Sequence, residues 1–224
     1  MIRRTLFFVL LFLISPDLSH SEEMGLSTSD SLLVQGRELL RLGDSAGAIS
    51  IFSSLIEKNP DDVSLQILLG NAYLKGEHYK EATSAFQRAK KLDKKIPAAY
   101  IGMGEVYVRQ PAMGFNSLMN FRRAIGEAKR ATKLDSTYAP AYRLLGDIYV
   151  HFIEDDRKAL DYYQKYLELE PDNAEGLYFF GLACVRAGAY DRINRHILPY
   201  MERNNQDRRL IPLVAIGSFF DEQY

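Results

Sequence analysis

The sequence predicts an all-α solenoid: about five stacked helix-turn-helix units and a terminal half unit. Three observations carry this. Glycines recur at a near-fixed interval, with Gly36, Gly70, Gly104, Gly146 and Gly181 separated by 34, 34, 42 and 35 residues. Each is followed three residues on by an aromatic or apolar residue, Leu39, Tyr73, Tyr107, Tyr149 and Cys184, so that "LLGNAYL" returns as "GMGEVYV", "LLGDIYV" and "FFGLACV". The units then close on "EKNPDD", "KKLDKK", "TKLDST" and "LELEPDN", where proline or aspartate stops a helix. A period of this length is the mark of one supersecondary unit repeated, each burying its apolar face against the next.

The first segment, residues 1–21, reads as a secretory signal peptide. Arg3 and Arg4 precede an apolar run from Leu6 to Ile14, and Ser19 and Ser21 stand at the small-residue positions before a cut. Nine apolar residues fall well short of the roughly 20 that a spanning helix needs, so no permanent membrane span is expected. A short linker, 22–28, follows.

Unit one, about 29–62, takes Gly36 as its anchor, turns through "RLGDSAGA", and brings Ala48 and Phe52 twelve and sixteen residues after the anchor. Unit two, 63–96, repeats this with Gly70, Ala82 and Phe86. A glycine inside a helix costs about 1 kcal/mol relative to alanine, so the anchors imply a close backbone approach, and Gly76 is expected to cap the first helix of unit two. Unit three, 97–138, is eight residues too long. The excess falls in "RQPAMGFNSLMN", where Pro111 ends a helix and Gly114 permits a turn, giving an enlarged loop or an extra helical turn. Units four and five occupy 139–173 and 174–207. A half unit, 208–224, places Ala215 in register as a sixth anchor and ends on "EQY", which matches the turn tripeptides "EHY" and "GAY". Either its apolar helix is a lone cap, or the chain is the front of a longer protein.

At these positions the chain resembles tetratricopeptide repeat proteins, over about residues 29–224. The first-helix consensus falls on Leu69, Gly70 and Tyr73, on Tyr100, Met103, Gly104 and Tyr107, and on Tyr142, Leu145, Gly146 and Tyr149. The second-helix consensus falls on Ala48, Phe52, Leu55 and Pro60, and on Ala82, Phe86 and Ala89. Gln66 departs from it. The resemblance implies a right-handed superhelix that binds a protein or peptide on its concave face, with the first helices lining it. Family geometry points Leu33, Arg37 and Leu40, Ile67, Asn71 and Leu74, Ile101, Glu105 and Val108, and Arg143, Asp147 and Val150 into that groove. The family's carboxylate clamp is matched only by Asn71. Aliphatics alternating with single charges of mixed sign suit an amphipathic helix or an extended segment, while some of the aliphatics have an alternative role in packing between repeats.

Composition narrows the function further. With 28 basic and 29 acidic residues the chain is near neutral, which removes the electrostatic case for nucleic acid, and the short basic runs read as solvated helix faces. One cysteine, Cys184, makes an intramolecular disulfide impossible and reads as a buried hydrophobe. His20, His78, His151 and His196 lack a second ligand at metal spacing, so neither metal nor cofactor is expected, and no catalytic constellation is present. Acidic pairs at Asp61 and Asp62 and at Asp155 and Asp156 read as helix caps. The expectation is a non-enzymatic exported interaction scaffold, periplasmic or secreted, with the short cysteine-poor chain favouring a bacterial cell envelope. An apolar half unit implies docking of a partner or a second copy. The alternative is the repeat region of a larger envelope protein whose activity lies beyond Tyr224.

Overall fold

The computed structural model describes residues 28–204 and 207–221; the signal segment, all but the last residue of the linker, and residues 222–224 lie outside them. Eleven α-helices follow one another among the described residues: α1 (Thr28–Leu42), α2 (Ser45–Lys58), α3 (Val63–Lys75), α4 (Tyr79–Leu92), α5 (Pro97–Arg109), α6 (Phe115–Leu134), α7 (Ala139–Ile148), α8 (Asp156–Leu169), α9 (Ala174–Ala187), α10 (Tyr190–Arg203) and α11 (Ile211–Asp221). They pack as antiparallel pairs, α1 with α2 through α9 with α10, and α11 stands as the first helix of a half unit against α10 and α9. Each first helix also meets the second helix of the unit before it, and the buried residues form three clusters along the stack, bridged by the half-buried Tyr73 and Tyr107.

Local chemistry fixes where the helices start. Asp44, Asp62, Asp155 and Asn173 each accept a hydrogen bond from a backbone N–H in the first turn of the next helix, at Gly47, Leu65, Lys158 and Gly176. This satisfies amides that a helix start otherwise leaves open. Pro97 and Pro140 sit in the first turns of α5 and α7, where a missing N–H costs nothing.

The anchor glycines are sites of close approach. A Cβ on Gly36 would lie 2.6 Å from the Phe52 ring, on Gly70 2.7 Å from Phe86, and on Gly146 2.8 Å from Tyr163. All three rings are fully buried. In unit three the equivalent residue of the second helix is Ala128, too small to reach its anchor, and Leu144 of α7 fills the place at 2.7 Å from Gly104. In unit five Ile197 and Leu213 stand over Gly181, at 3.0 and 2.7 Å. The sixth anchor does not hold: Ala215 is exposed, and it is Gly217 that closes on the preceding helix, where a Cβ would lie 2.8 Å from Asn194 and 3.1 Å from Ile193. Gly76 also differs from expectation. It caps α3 with an ordinary φ of −83°, the left-handed residue being Glu77 at 61°, and a Cβ there would lie 3.0 Å from His78 and 3.1 Å from Ser45 of α2.

Both irregular spacings have structural causes. In unit three the second helix begins two residues later than usual and runs for 20 residues against 14 in α4, so the insertion is at once a longer bend and nearly two extra turns. The bend takes Pro111 just past the end of α5 and Gly114 at φ 58°. In unit four the 35-residue spacing holds one surplus residue, taken up by a π-helical stretch, Tyr149–Ile153, at the end of α7. The left-handed turn residue lies seven after the anchor at Gly43, Glu77 and Gly188, and eight after it at Glu154.

Two glycines on neighbouring helices separate close packing from helix propensity. A Cβ on Gly102 would sit 2.2 Å from the buried Phe86 ring, whereas one on Gly126 meets nothing within 4 Å. In urea denaturation, Gly126→Ala is expected to raise stability by about 0.5–1 kcal/mol, and Gly102→Ala to lower it by about 1 kcal/mol or more because overpacking outweighs the propensity gain.

Candidate groove on the concave face

The first helices of units one to four touch along the stack, α1 with α3, α3 with α5 and α5 with α7, and so form one wall; α9 meets α11 in the same way. Residues one past each anchor stand at one height on it: Arg37, Asn71, Glu105 and Asp147. Arg37 is exposed, and the other three are half-buried. Leu33 and Ile67 are half-buried and pack partly on the core. Leu74 and Ile101 are largely covered, at 4% and 5% exposure, though Leu74 still lines a cleft beside Asn71. Each first helix lies against the next unit, so the side chain that faces the neighbour is covered by it; Val150 is covered in the same way, at 3%.

What the wall presents is therefore mainly polar. Glu105 faces two cations, Arg109 of its own helix at 3.6 Å and Arg143 of the next unit at 3.5 Å, and Arg143 reaches on to Asp147 at 3.6 Å. These separations exceed hydrogen-bond length, so the pairs are coulombic and the guanidinium N–H groups keep donor capacity. The Tyr163 hydroxyl donates to Asp147 at 2.7 Å from beneath. A cleft of about 370 Å³ opens beside this network, lined by Leu40, Asn71, Leu74, Lys75, Glu105 and Arg109. Lys75 donates to the Leu40 carbonyl at 2.7 Å, tying the end of α1 to α3.

Lys75, Arg109 and Tyr163 had no place in the sequence-based site. Arg109 was legible, since Glu105 and Arg109 are an i, i+4 pair on a predicted helix. Tyr163 was not, because only packing brings α8 under Asp147.

The remaining candidates fall outside any site. Cys184 is fully buried, and burial pushes its thiol up to about 12. Among the described residues no group of three or more His, Cys, Asp or Glu side chains is placed to hold a metal ion. No helix among them is long and apolar enough to cross a membrane.

Family models for the tetratricopeptide repeat match residues 33–111 and 139–173, together just over half of the chain. The chain belongs to the tetratricopeptide repeat family. Among solved structures it is similar to a thermophilic tetratricopeptide repeat protein of Thermus thermophilus, at 21% identity and a TM-score of 0.71, covering 84% of this chain and 98% of that one. It is also similar to PilF of Pseudomonas aeruginosa, at 15% identity and TM-score 0.67, covering 87% and 85%. A third is MamA of Desulfovibrio magneticus, at 20% identity and TM-score 0.56, covering 80% and 97%. At these identities the likeness is one of fold.

The charge network makes a pH prediction. Burial raises the Asp147 carboxyl above its ordinary range, against the hydrogen bond from Tyr163 and the charge of Arg143. Arg143 loses to burial in the same way, but Asp147 and Glu105 together more than restore it and hold it above its usual value. Because Arg143 is divided between two carboxylates, burial prevails at Asp147. A carboxyl raised in the folded state stabilises fully below its unfolded value near 3.9 and loses that contribution as pH rises through the folded value. Thermal melts should therefore show the stability of wild type relative to Asp147→Asn greatest near pH 4 and declining toward pH 7. The opposite slope would show that the arginine dominates.

Proposed function

We propose that this chain is an exported interaction scaffold that binds a peptide or protein segment along its concave face. The observation that carries this reading is the polar column on adjacent first helices, Arg37, Asn71, Glu105 and Asp147, with a cleft beside it. One side chain per unit, presented along a curved wall, is suited to a ligand that runs across several units. Its chemistry follows from the column: Asn71 offers an amide donor and acceptor, and Arg109 and Arg143 hold donors that their loose ion pairs leave unsaturated. The ligand is a segment presenting carboxylate or backbone carbonyl groups there, with small apolar side chains over Leu40. Export rests on residues 1–21.

A photo-crosslinking residue at position 71 should join the chain to a discrete partner in envelope extracts, while the same residue at the exposed Lys91 of α4 should not. Asn71→Arg should reduce capture at least tenfold without changing helical circular dichroism. Equal cross-linking from both positions would remove the groove from the account. Export has its own check, since protein recovered from an envelope fraction should begin at Glu22.

A second reading rests on α11. Its outer face exposes Ile211 and Phe219, at 53% and 59%, with Ala215 between them. We propose that a second copy, or further repeats of a larger envelope protein, covers this face. Comparison of the native protein's intact mass with that of residues 22–224, together with its oligomeric state by light scattering, separates the two.

A further inference from the structure

The two departures from the 34-residue period are distant in sequence and meet in space. Phe121 of α6, just after the inserted residues of unit three, stacks on Phe152 of the π-helical stretch in unit four, with ring centroids 4.2 Å apart. Around this pair Met113, Phe115, Leu118, Phe152 and Ile153 are exposed, and these five are half of the large hydrophobic residues exposed among the described residues. Met113 and Phe115 are the most exposed of all, at 89% and 74%. Such a concentration marks an interaction surface rather than ordinary scatter. It lies on the edge that carries the turns within units, away from the concave wall.

Two further features say what would cover it. Beside Phe115 is a cleft of about 490 Å³, lined in part by Tyr107, Gln110, Asn116, Asn120 and Arg123, with no carboxylate in its wall. Arg123 lies over the Tyr107 ring, 5.8 Å from its centroid. The second feature is charge. In a chain of net charge −1, α6 carries Arg122, Arg123, Lys129, Arg130 and Lys133 against the single carboxylate Glu127, which Lys90 of α4 already holds at 2.8 Å. Phe115, Leu118, Arg122, Lys129 and Lys133 fall within one face by the 3.6-residue period and are all exposed. That face runs for about 27 Å, apolar at its start and cationic along the rest. At the far side of the patch three carboxylates follow Ile153: the exposed Glu154, Asp155, which Lys158 holds at 2.7 Å, and Asp156, which Arg186 holds at 3.0 Å.

We infer that this ridge is a second docking site, taking an acidic amphipathic helical segment of a partner protein. Its apolar side chains cover Phe115, Leu118 and Phe152, and its carboxylates follow Arg122, Lys129 and Lys133. An anionic bilayer would also match apolar residues flanked by cations. It would leave the amides of Gln110, Asn116 and Asn120 in the cleft facing hydrocarbon without hydrogen-bond partners, which a polypeptide can supply. The inference stands apart from the groove, since no residue of the polar column takes part.

The experiment titrates the purified protein into a fluorescein-labelled 18-residue synthetic helix with leucine and phenylalanine on one face and glutamate on the other. The same helix with lysine for glutamate, and vesicles of phosphatidylglycerol and phosphatidylcholine, serve as the competing occupants. The acidic helix should bind at least tenfold more tightly than the lysine helix. Both Phe115→Ser with Leu118→Ser, and Arg122→Glu with Arg123→Glu, should weaken it about tenfold or more. All four side chains are exposed, so helical circular dichroism should not change. Asn71→Arg should leave this affinity unaltered, which distinguishes the ridge from the groove. No binding, equal binding of the two helices, binding of vesicles alone, or loss only in the Asn71 variant would each overturn the proposal.

Discussion

The stack depends on one contact, a helix backbone bared by glycine and pressed against a buried side chain of the neighbouring helix. Phe86 shows it most fully, since its ring lies between Gly70 of its own unit and Gly102 of the next. That single ring sets both the spacing within a unit and the spacing between units. With no disulfide available to a chain of one cysteine, such close packing has to hold the units in place. Where the ring is missing, the geometry is kept by substitution: Ala128 leaves a gap in unit three and Leu144 enters it from the following unit. The join between units three and four is therefore made by an aliphatic that crosses over, and Leu213 of α11 crosses to Gly181 in the same way, beside Ile197 at the expected place.

The fold was legible because its determinants are local and periodic. Glycine, the aromatic three residues on and the alanine and phenylalanine of the second helix each recur at their own offset, and the caps at Asp62 and Asp155 are readable from the turn sequences. Departures in the period were visible as numbers, 42 and 35, but not as shapes. The surplus in unit three could have formed loop or helix and forms both, because Pro111 ends α5 while nothing between Phe115 and Asn120 resists a helix. A single surplus residue in unit four gave no cue to a π-helical stretch, since the same count would suit a longer turn. Ala215 was misjudged for a related reason. An anchor needs a second helix to press on, and among the described residues α11 meets only helices that precede it, with Gly217 against α10.

The groove was less legible than the fold. Arg37, Asn71, Glu105 and Asp147 share one helical phase, and each is left exposed or half-buried. Leu74 and Ile101 share that phase closely, yet both are buried, Leu74 keeping only an edge on the cleft. One sequence period cannot separate the residue that faces a ligand from the residue that faces the neighbouring repeat, because the superhelical turn decides between them. Polarity does better than phase: a charge left half-buried on such a wall, as Glu105 and Arg143 are, has been kept at the surface by the cost of covering it.

The π-helical stretch at Tyr149–Ile153 has a wider meaning. An added residue would rotate everything after it by about 100° if the helix simply continued, and α8 would lose its fit to α7. Instead Ile148 remains buried just before the stretch and Ala159 and Tyr163 are buried after it, so the disturbance begins and ends inside a single unit. A solenoid of this kind works as a set of separate compartments for length changes. It can acquire or discard a residue at one turn, and change the surface there, while every joint elsewhere in the stack keeps its alignment.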